Sequence, residues 1–435
     1  MIARFIAPTL ALVALSAPAK AEFIDIQRVT SPGGIEAWLV QDNSIPFMAI
    51  ELWFDGGASL ETEAILGATN LMMATLEEGT GDMDATAFAV AVEELAATFE
   101  FDTYRDEVGV SAVMLTQNRD EAIALLRGAL VEPNFAQAAL ERVRQQVLAS
   151  IEGDLNDPQT IGSLAFRDMA YDDHPYAFPL DGTVDTVAAL TRDDIMAIHQ
   201  GAMTRDRVSV GVSGDITPEE LGPLLDTLLS DLPESTVDLP GTADVTLEGG
   251  VTVIDWPVPQ SSVLFGHTGI ARTDEDFFPA FVMNQILGAG GYRSRLMEEV
   301  REQRGLTYGI STWLSLARGA PMLQGAFSSS NDLVGQAIEV IRAEWADMAE
   351  NGVSAEELVA AQRYMTGAYP LRFDGNARIA GILAAMQADN MPIDYINTRN
   401  ARVEAVTVED IQRVAQRLMD TDGLHFVVVG QPDGL

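Results

Sequence analysis

Residues 191–214 read TRDDIMAIHQGAMTRDRVSVGVSG, and residues 407–430 read TVEDIQRVAQRLMDTDGLHFVVVG. They align without a gap at an offset of 216, pairing Thr191 with Thr407, Asp194 with Asp410, Ile195 with Ile411, Met203 with Met419, Asp206 with Asp422 and Gly214 with Gly430. In each copy a Thr stands where a helix N-cap is wanted, with an acid three residues on, so each side chain can satisfy the other's backbone N–H. An amphipathic helix is expected next. A strand should follow it, with apolar residues at period two: Val208, Val210 and Val212 in the first copy, Leu424, Phe426 and Val428 in the second. Two copies at one long offset indicate a duplicated domain rather than a stack of short repeats.

Working outward, 435 residues with 47% hydrophobic content are too many for one comfortable core. The stretch 232–250 is rich in Pro, Gly and acids and has the composition of a linker. The expected organisation is a first domain at 22–232, a linker at 233–249 and a second domain at 250–435. Strands such as 48–54 and 251–256 mix with longer helical patterns at 85–99, 119–131, 135–153 and 332–351. The clustering lacks regular βαβ spacing. It predicts an α+β fold: two homologous domains, each a mainly antiparallel sheet with helices packed on one face.

The first residues carry an address. One positive charge lies within residues 1–4, an apolar run spans 5–17, and Ala19-Lys20-Ala21 has the small-x-small form of a cleavage site. Residues 1–21 are therefore expected to be a signal peptide, with export to the periplasm and no stable membrane anchor. The competing reading, an uncleaved anchor, needs ~20 apolar residues, more than this run offers. With no cysteine, disulfides and thiolate metal sites are excluded. The 65 acids stand against 26 bases, a formal net charge of −39 that repels phosphate backbones, so nucleic acid is not an expected partner. The charge serves solubility or, on a second reading, attracts basic peptides.

Residues 53–80, WFDGGASLETEAILGATNLMMATLEEGT, resemble the first motif region of the pitrilysin/insulinase (M16) zinc peptidases. Gly67 and Gly79-Thr80 frame a helix at the family spacing. In the family that helix carries H-x-x-E-H: two zinc-binding histidines one turn apart and a glutamate that activates the metal-bound water. Carried over residue by residue, the histidines fall on Asn70 and Ala74 and the glutamate on Met73. A third ligand about 76 residues on falls near Ser150. None of the four is a competent ligand or base at its place, and Glu152 nearby sits on a different helical face. His174, His199, His267 and His425 are scattered and form no H-x-x-x-H pair. His174-Pro175-Tyr176 resembles a structural motif of the family. No metal is expected on this chain.

Residues 287–309, LGAGGYRSRLMEEVREQRGLTYG, resemble the family's second-domain segment that supplies an arginine and a tyrosine, here Arg301 and Tyr308, seven apart. A helix over 294–304 ending at Gly305, followed by a β-prone run, would let both side chains reach one cavity. The guanidinium could hold a peptide carbonyl or carboxylate, and the phenol could donate to the oxyanion formed at the scissile carbonyl. The bland alternative pairs Arg301 with Glu298 or Glu302 on the helix surface and puts Tyr308 in the core. The run Gly288-Ala289-Gly290-Gly291 lacks the third glycine or the lysine of a nucleotide loop, and Gly290 and Gly291 predict a tight turn before the helix. Ser328-Ser329-Ser330 reads as a strand end.

The resemblance implies a half-clamshell that binds no cofactor itself. Its partner would be a homologous M16 subunit with an intact zinc motif, and its ligand a peptide. The alternative is a periplasmic peptide-binding or architectural protein with no peptidase activity.

Overall fold

The two repeated segments fold alike in the computed structural model, which describes residues 23–435. The expected signal peptide lies outside the described residues. Thr191 caps the helix Arg192–Ala202, and Thr407 caps Val408–Leu418, each in a reciprocal box with the acid three residues on. The Thr191 N–H reaches Asp194 at 2.8 Å, and the Thr407 N–H reaches Asp410 at 3.1 Å.

Each helix leads into an inner strand of a sheet. The first sheet is built from β1 (Gln27–Thr30), β2 (Glu36–Gln41), β3 (Phe47–Asp55), β4 (Thr98–Thr103), β5 (Glu107–Leu115) and β6 (Val208–Gly214), in the order β1-β2-β6-β3-β5-β4. The second uses β7 (Gly250–Asp255), β8 (Gln260–Thr268), β9 (Ile310–Ser315), β10 (Met322–Ser330) and β11 (His425–Gly430), in the order β7-β11-β8-β10-β9. Without β1 the two orders are identical. The β2–β6 and β7–β11 pairs are parallel and the others antiparallel. The fold is the mainly antiparallel α+β architecture expected from the repeat.

One face of each sheet packs on the helices of its own half. Val210 and Val212 point into the first core, with Met48, Ile50 and Leu52 of β3. Phe426 and Val428 point into the second, where Phe265 stacks on Phe426 at 5.2 Å. The opposite faces are covered too, by an exchange. Helix Pro158–Tyr171 of the first half lies on the second sheet, where Phe166 and Ala170 bury against Val427 and Val429 and the Tyr171 hydroxyl meets the Met322 sulfur at 3.2 Å. Helix Asn376–Ala388 of the second half lies on the first sheet. There Gln387 Nε2 donates to the Val210 carbonyl at 2.7 Å, and Ser213 Oγ bonds Asn376 at 3.1 Å. Gly211 makes the approach possible, since a Cβ at that position would stand 2.0 Å from the Ala380 carbonyl oxygen. The exchanged helices occupy matching places in the repeat, so the halves clasp each other.

Two boundaries differ from the sequence reading. The helix expected over 85–99 stops at Glu94; Ala96 takes φ 48° and turns the chain into β4, where Thr98-Phe99-Glu100-Phe101 alternates as a strand should. The helix expected over 294–304 has a widened turn, with π-type bonding over Met297–Glu302, before Gly305 at φ 64° closes it.

Candidate functional site

The helix that would carry zinc is Ala68–Met73. Gly67 enters it with φ 86°, and the buried Glu61 carboxylate accepts the Gly67 and Thr69 N–H groups at 2.8 and 2.6 Å. Burial raises the Glu61 pKa, and these bonds oppose the rise. The scaffold of the motif is thus intact, while its chemistry is absent. Met73 is 1% exposed and packs in the first core, and Asn70 and Ala74 are half-buried. Ser150 is exposed on helix Gln137–Asp154, whose buried side chains are Leu140, Val143, Arg144, Val147 and Ile151. That helix therefore offers no inward carboxylate as a third ligand. Among the described residues no group of three or more His, Cys, Asp or Glu is placed to hold a metal ion.

Each histidine is engaged elsewhere. His199 bonds the Leu130 carbonyl at 2.9 Å, and His267 accepts the Trp345 indole N–H at 2.9 Å. Burial pushes both imidazoles down, keeping them neutral. His425 lies between the Glu248 carbonyl and Thr252. His174 accepts the Tyr176 N–H at 3.2 Å. The Tyr176 hydroxyl in turn donates to Asp106 at 2.8 Å and lies 2.9 Å from the Arg318 carbonyl, while Arg318 pairs with Asp55 at 2.6 Å. This His-Pro-Tyr segment ties the first half to the second.

Arg301 and Tyr308 do line one cleft, with Gln260, Glu302, Thr307 and Ser328. Its floor is rigid. Leu306 and Thr307 are buried, and Thr307 Oγ1 donates to the Ser328 carbonyl at 2.7 Å and accepts the Gly309 N–H at 3.2 Å. Tyr308 sits in this pinned bend two residues ahead of β9, not within a strand. Its side chain is 86% exposed, so the core placement is excluded. Arg301 does pair with Glu302, as the bland reading had it, and its guanidinium also lies 4.9 Å over the Tyr292 ring.

Tyr292 is the residue the sequence reading passed over. It is 71% exposed on the turn that Gly291, at φ 59°, makes before the helix. An aromatic set beside two glycines just ahead of the helix was the available signal. Gly288 is held to glycine by the nearby Thr312 side chain, whose Oγ1 would stand 2.3 Å from a Cβ. The polyserine segment does end β10.

Residues 37–183 match the family model described as insulinase (peptidase family M16), and residues 189–365 match the one described as the peptidase M16 inactive domain. The chain belongs to the M16 peptidase family. Within it, the chain is a non-catalytic homologue, because Asn70, Met73 and Ala74 replace the zinc-binding and water-activating side chains. It is 24% identical over 390 residues to the non-peptidase homolog YmxG of Helicobacter pylori, covering 89% of this chain and 90% of that one. It is 23% identical over 402 residues to the mitochondrial-processing peptidase subunit beta of Lentinula edodes, covering 89% and 86% of the two chains. A crystal structure of a peptidase M16 inactive domain from Pseudomonas fluorescens superposes with a TM-score of 0.88 at 27% identity, covering 94% of this chain and 98% of that one.

Proposed function

We propose that this chain is the substrate-positioning subunit of a two-chain zinc peptidase. It binds no metal and associates with a homologous M16 chain carrying an intact H-x-x-E-H motif. It presents Arg301 and Tyr308 to the peptide held there. The segment at 1–21 would direct it to the periplasm.

One observation carries this reading. The zinc-motif helix has lost every reactive side chain, while the arginine and tyrosine stand together on one open cleft whose floor is hydrogen-bonded. An 86% exposed tyrosine and a guanidinium stacked on a second exposed tyrosine make nothing for the core of the isolated chain. Their exposure supports a role toward something outside it. A guanidinium can fork onto a peptide carboxylate or carbonyl, and a phenol can donate to a developing oxyanion. One relative is by name a subunit of a peptidase, which supports association with a second chain.

Reconstitution tests it. The chain alone should leave peptides uncut, and zinc-dependent cleavage should appear when a homologous H-x-x-E-H chain is added. In the complex, Arg301→Ala and Tyr308→Phe should each lower kcat without preventing association, as judged by gel filtration. Peptidase activity of the isolated chain, or a complex indifferent to both substitutions, refutes the assignment.

A further inference from the structure

A cavity of about 370 Å³ opens in the second half, away from the Arg301 cleft. It lies between the edge strand β9, the helix Phe277–Asn284, the turn Tyr369–Arg372 and the helices Asn376–Ala388 and Tyr395–Ala405. Its walls carry the rings of Phe277, Phe281, Trp313, Tyr369, Phe373 and Tyr395. Three arginines share them: Arg272, Arg372 and Arg399. The chain as a whole has 65 acids against 26 bases, yet among the described residues Asp389 is the one acid on this cavity's wall.

The arginines are under-used by the protein. Arg399 is 5% exposed and makes no ion pair among the described residues. One of its amino groups donates to the Met365 carbonyl at 2.8 Å and to the Asn400 side chain at 2.9 Å, and the guanidinium lies 4.4 Å over the Tyr369 ring. Beyond these, the Tyr395 hydroxyl lies beside the guanidinium on the cavity wall, and no described carboxylate pairs with it. Arg272 Nε stands 3.2 Å from Asp389 but is misaligned with it, so that this buried N–H forms no hydrogen bond. Arg372 is exposed at the rim and has neither an ion pair nor a hydrogen bond among the described residues. All three act electrostatically on the Tyr369 hydroxyl. A buried, unneutralised guanidinium is costly, and the ordinary remedy is an anion.

We infer that this cavity binds a carboxylate carried on an aromatic or branched apolar body. A peptide's C-terminal residue and a free aryl or alkyl carboxylic acid both present that chemistry. The guanidinium fork matches a carboxylate, and the aromatic walls take the apolar body. Every described lining residue belongs to the second half, so the site does not depend on the pairing proposed above.

The test is calorimetric titration of the full chain, with tryptophan fluorescence as a second readout. The probes are N-acetylphenylalanine, its amide, and a phenylalanine-terminated pentapeptide with a free or an amidated C-terminus. A free acid should bind at one site, and the matching amide at least roughly tenfold more weakly. Arg372→Gln should weaken the acid by roughly tenfold, because it removes one charge-assisted contact, while leaving the melting temperature unchanged. Trp313→Phe should remove the fluorescence response but not the heat. Both acids binding points to peptide C-termini, and the small acid alone points to a free metabolite; either result supports the site. No free acid binding, amides binding as tightly as acids, or Arg372→Gln and Arg272→Gln both leaving acid affinity unchanged would overturn it. The Arg272 variant keeps the test decisive should the exposed Arg372 contribute little.

Discussion

Gly211→Ala reports directly on the helix exchange. Gly211 lies in β6, with no positive φ to favour glycine. In a strand without a docked neighbour the change should stabilise by about 0.5–1 kcal/mol, because alanine has less backbone entropy to lose. Here the new Cβ would stand 2.0 Å from the Ala380 carbonyl oxygen and 2.7 Å from the Ala384 nitrogen. An ordinary C···O contact is about 3.3 Å, so strand and helix must part by more than about 1 Å. Overpacking of this kind costs about 1–3 kcal/mol. The Gln387–Val210 and Ser213–Asn376 bonds would loosen with it, at about 0.5–1.5 kcal/mol each. The net expectation is a loss of about 2–4 kcal/mol, opposite in sign to the undocked case. Hydrogen–deuterium exchange is the assay, because a two-half chain need not unfold in one step. Amides of helix Asn376–Ala388 should exchange roughly 30-fold faster or more, corresponding to about 2 kcal/mol. Gly162→Ala on the reciprocal helix is the control. Its nearest neighbour is a methyl of Val429 at 3.2 Å, so the helix-propensity gain of about 1 kcal/mol should leave it neutral or stabilised. Unchanged or slower exchange in Gly211→Ala would refute the docking of the helix on the first sheet.

Two further expectations follow from the first half. Writing the zinc motif back as Asn70→His, Met73→Glu and Ala74→His should not give stoichiometric zinc, because helix Gln137–Asp154 buries no carboxylate as third ligand. Met73→Glu alone should cost roughly 3 kcal/mol by burying a carboxyl in the core; metal analysis and thermal melting check the two claims, and one zinc per triple variant would contradict the first. Glu107, at the junction of the halves, is raised from 4.5 to about 7, first by burial and then by Asp106. Between those values the folded protein keeps a proton that the unfolded chain has released. Stability should therefore fall as pH rises from about 4.5 to about 7 and level off above. Glu107→Gln should flatten that decline in a melting-temperature series; an unaltered slope would assign it to other groups.

Much of this protein was legible because it is written in short-range patterns. The capping boxes at Thr191 and Thr407 and the alternating strands after them are local, so the duplication and the α+β class followed from the chain alone. The break in the H-x-x-E-H pattern was legible for the same reason: a ligand pair on one helix is a spacing rule, and Asn70 and Ala74 break it whatever surrounds them. Sequence spacing also joined Arg301 and Tyr308, which the fold places on one cleft. It missed the stacking of Arg301 on Tyr292, and it set Tyr308 in a strand when the residue stands on a pinned bend.

Other features needed the folded chain, because they join residues far apart in sequence. Nothing near Gly211 announces that Ala380 will lie against it. Nothing around residue 272 announces that Arg372 and Arg399 will gather at one cavity about Tyr369. The third-ligand position shows the same limit, since counting reached Ser150 and only packing turned it outward. The sequence alone determined the repeat, the α+β class and the broken H-x-x-E-H pattern, because hydrogen bonding and side-chain periodicity act over a few residues. Tertiary structure alone decided which half covers which sheet and which charges end up buried together, because close packing and desolvation act between surfaces that meet only after folding.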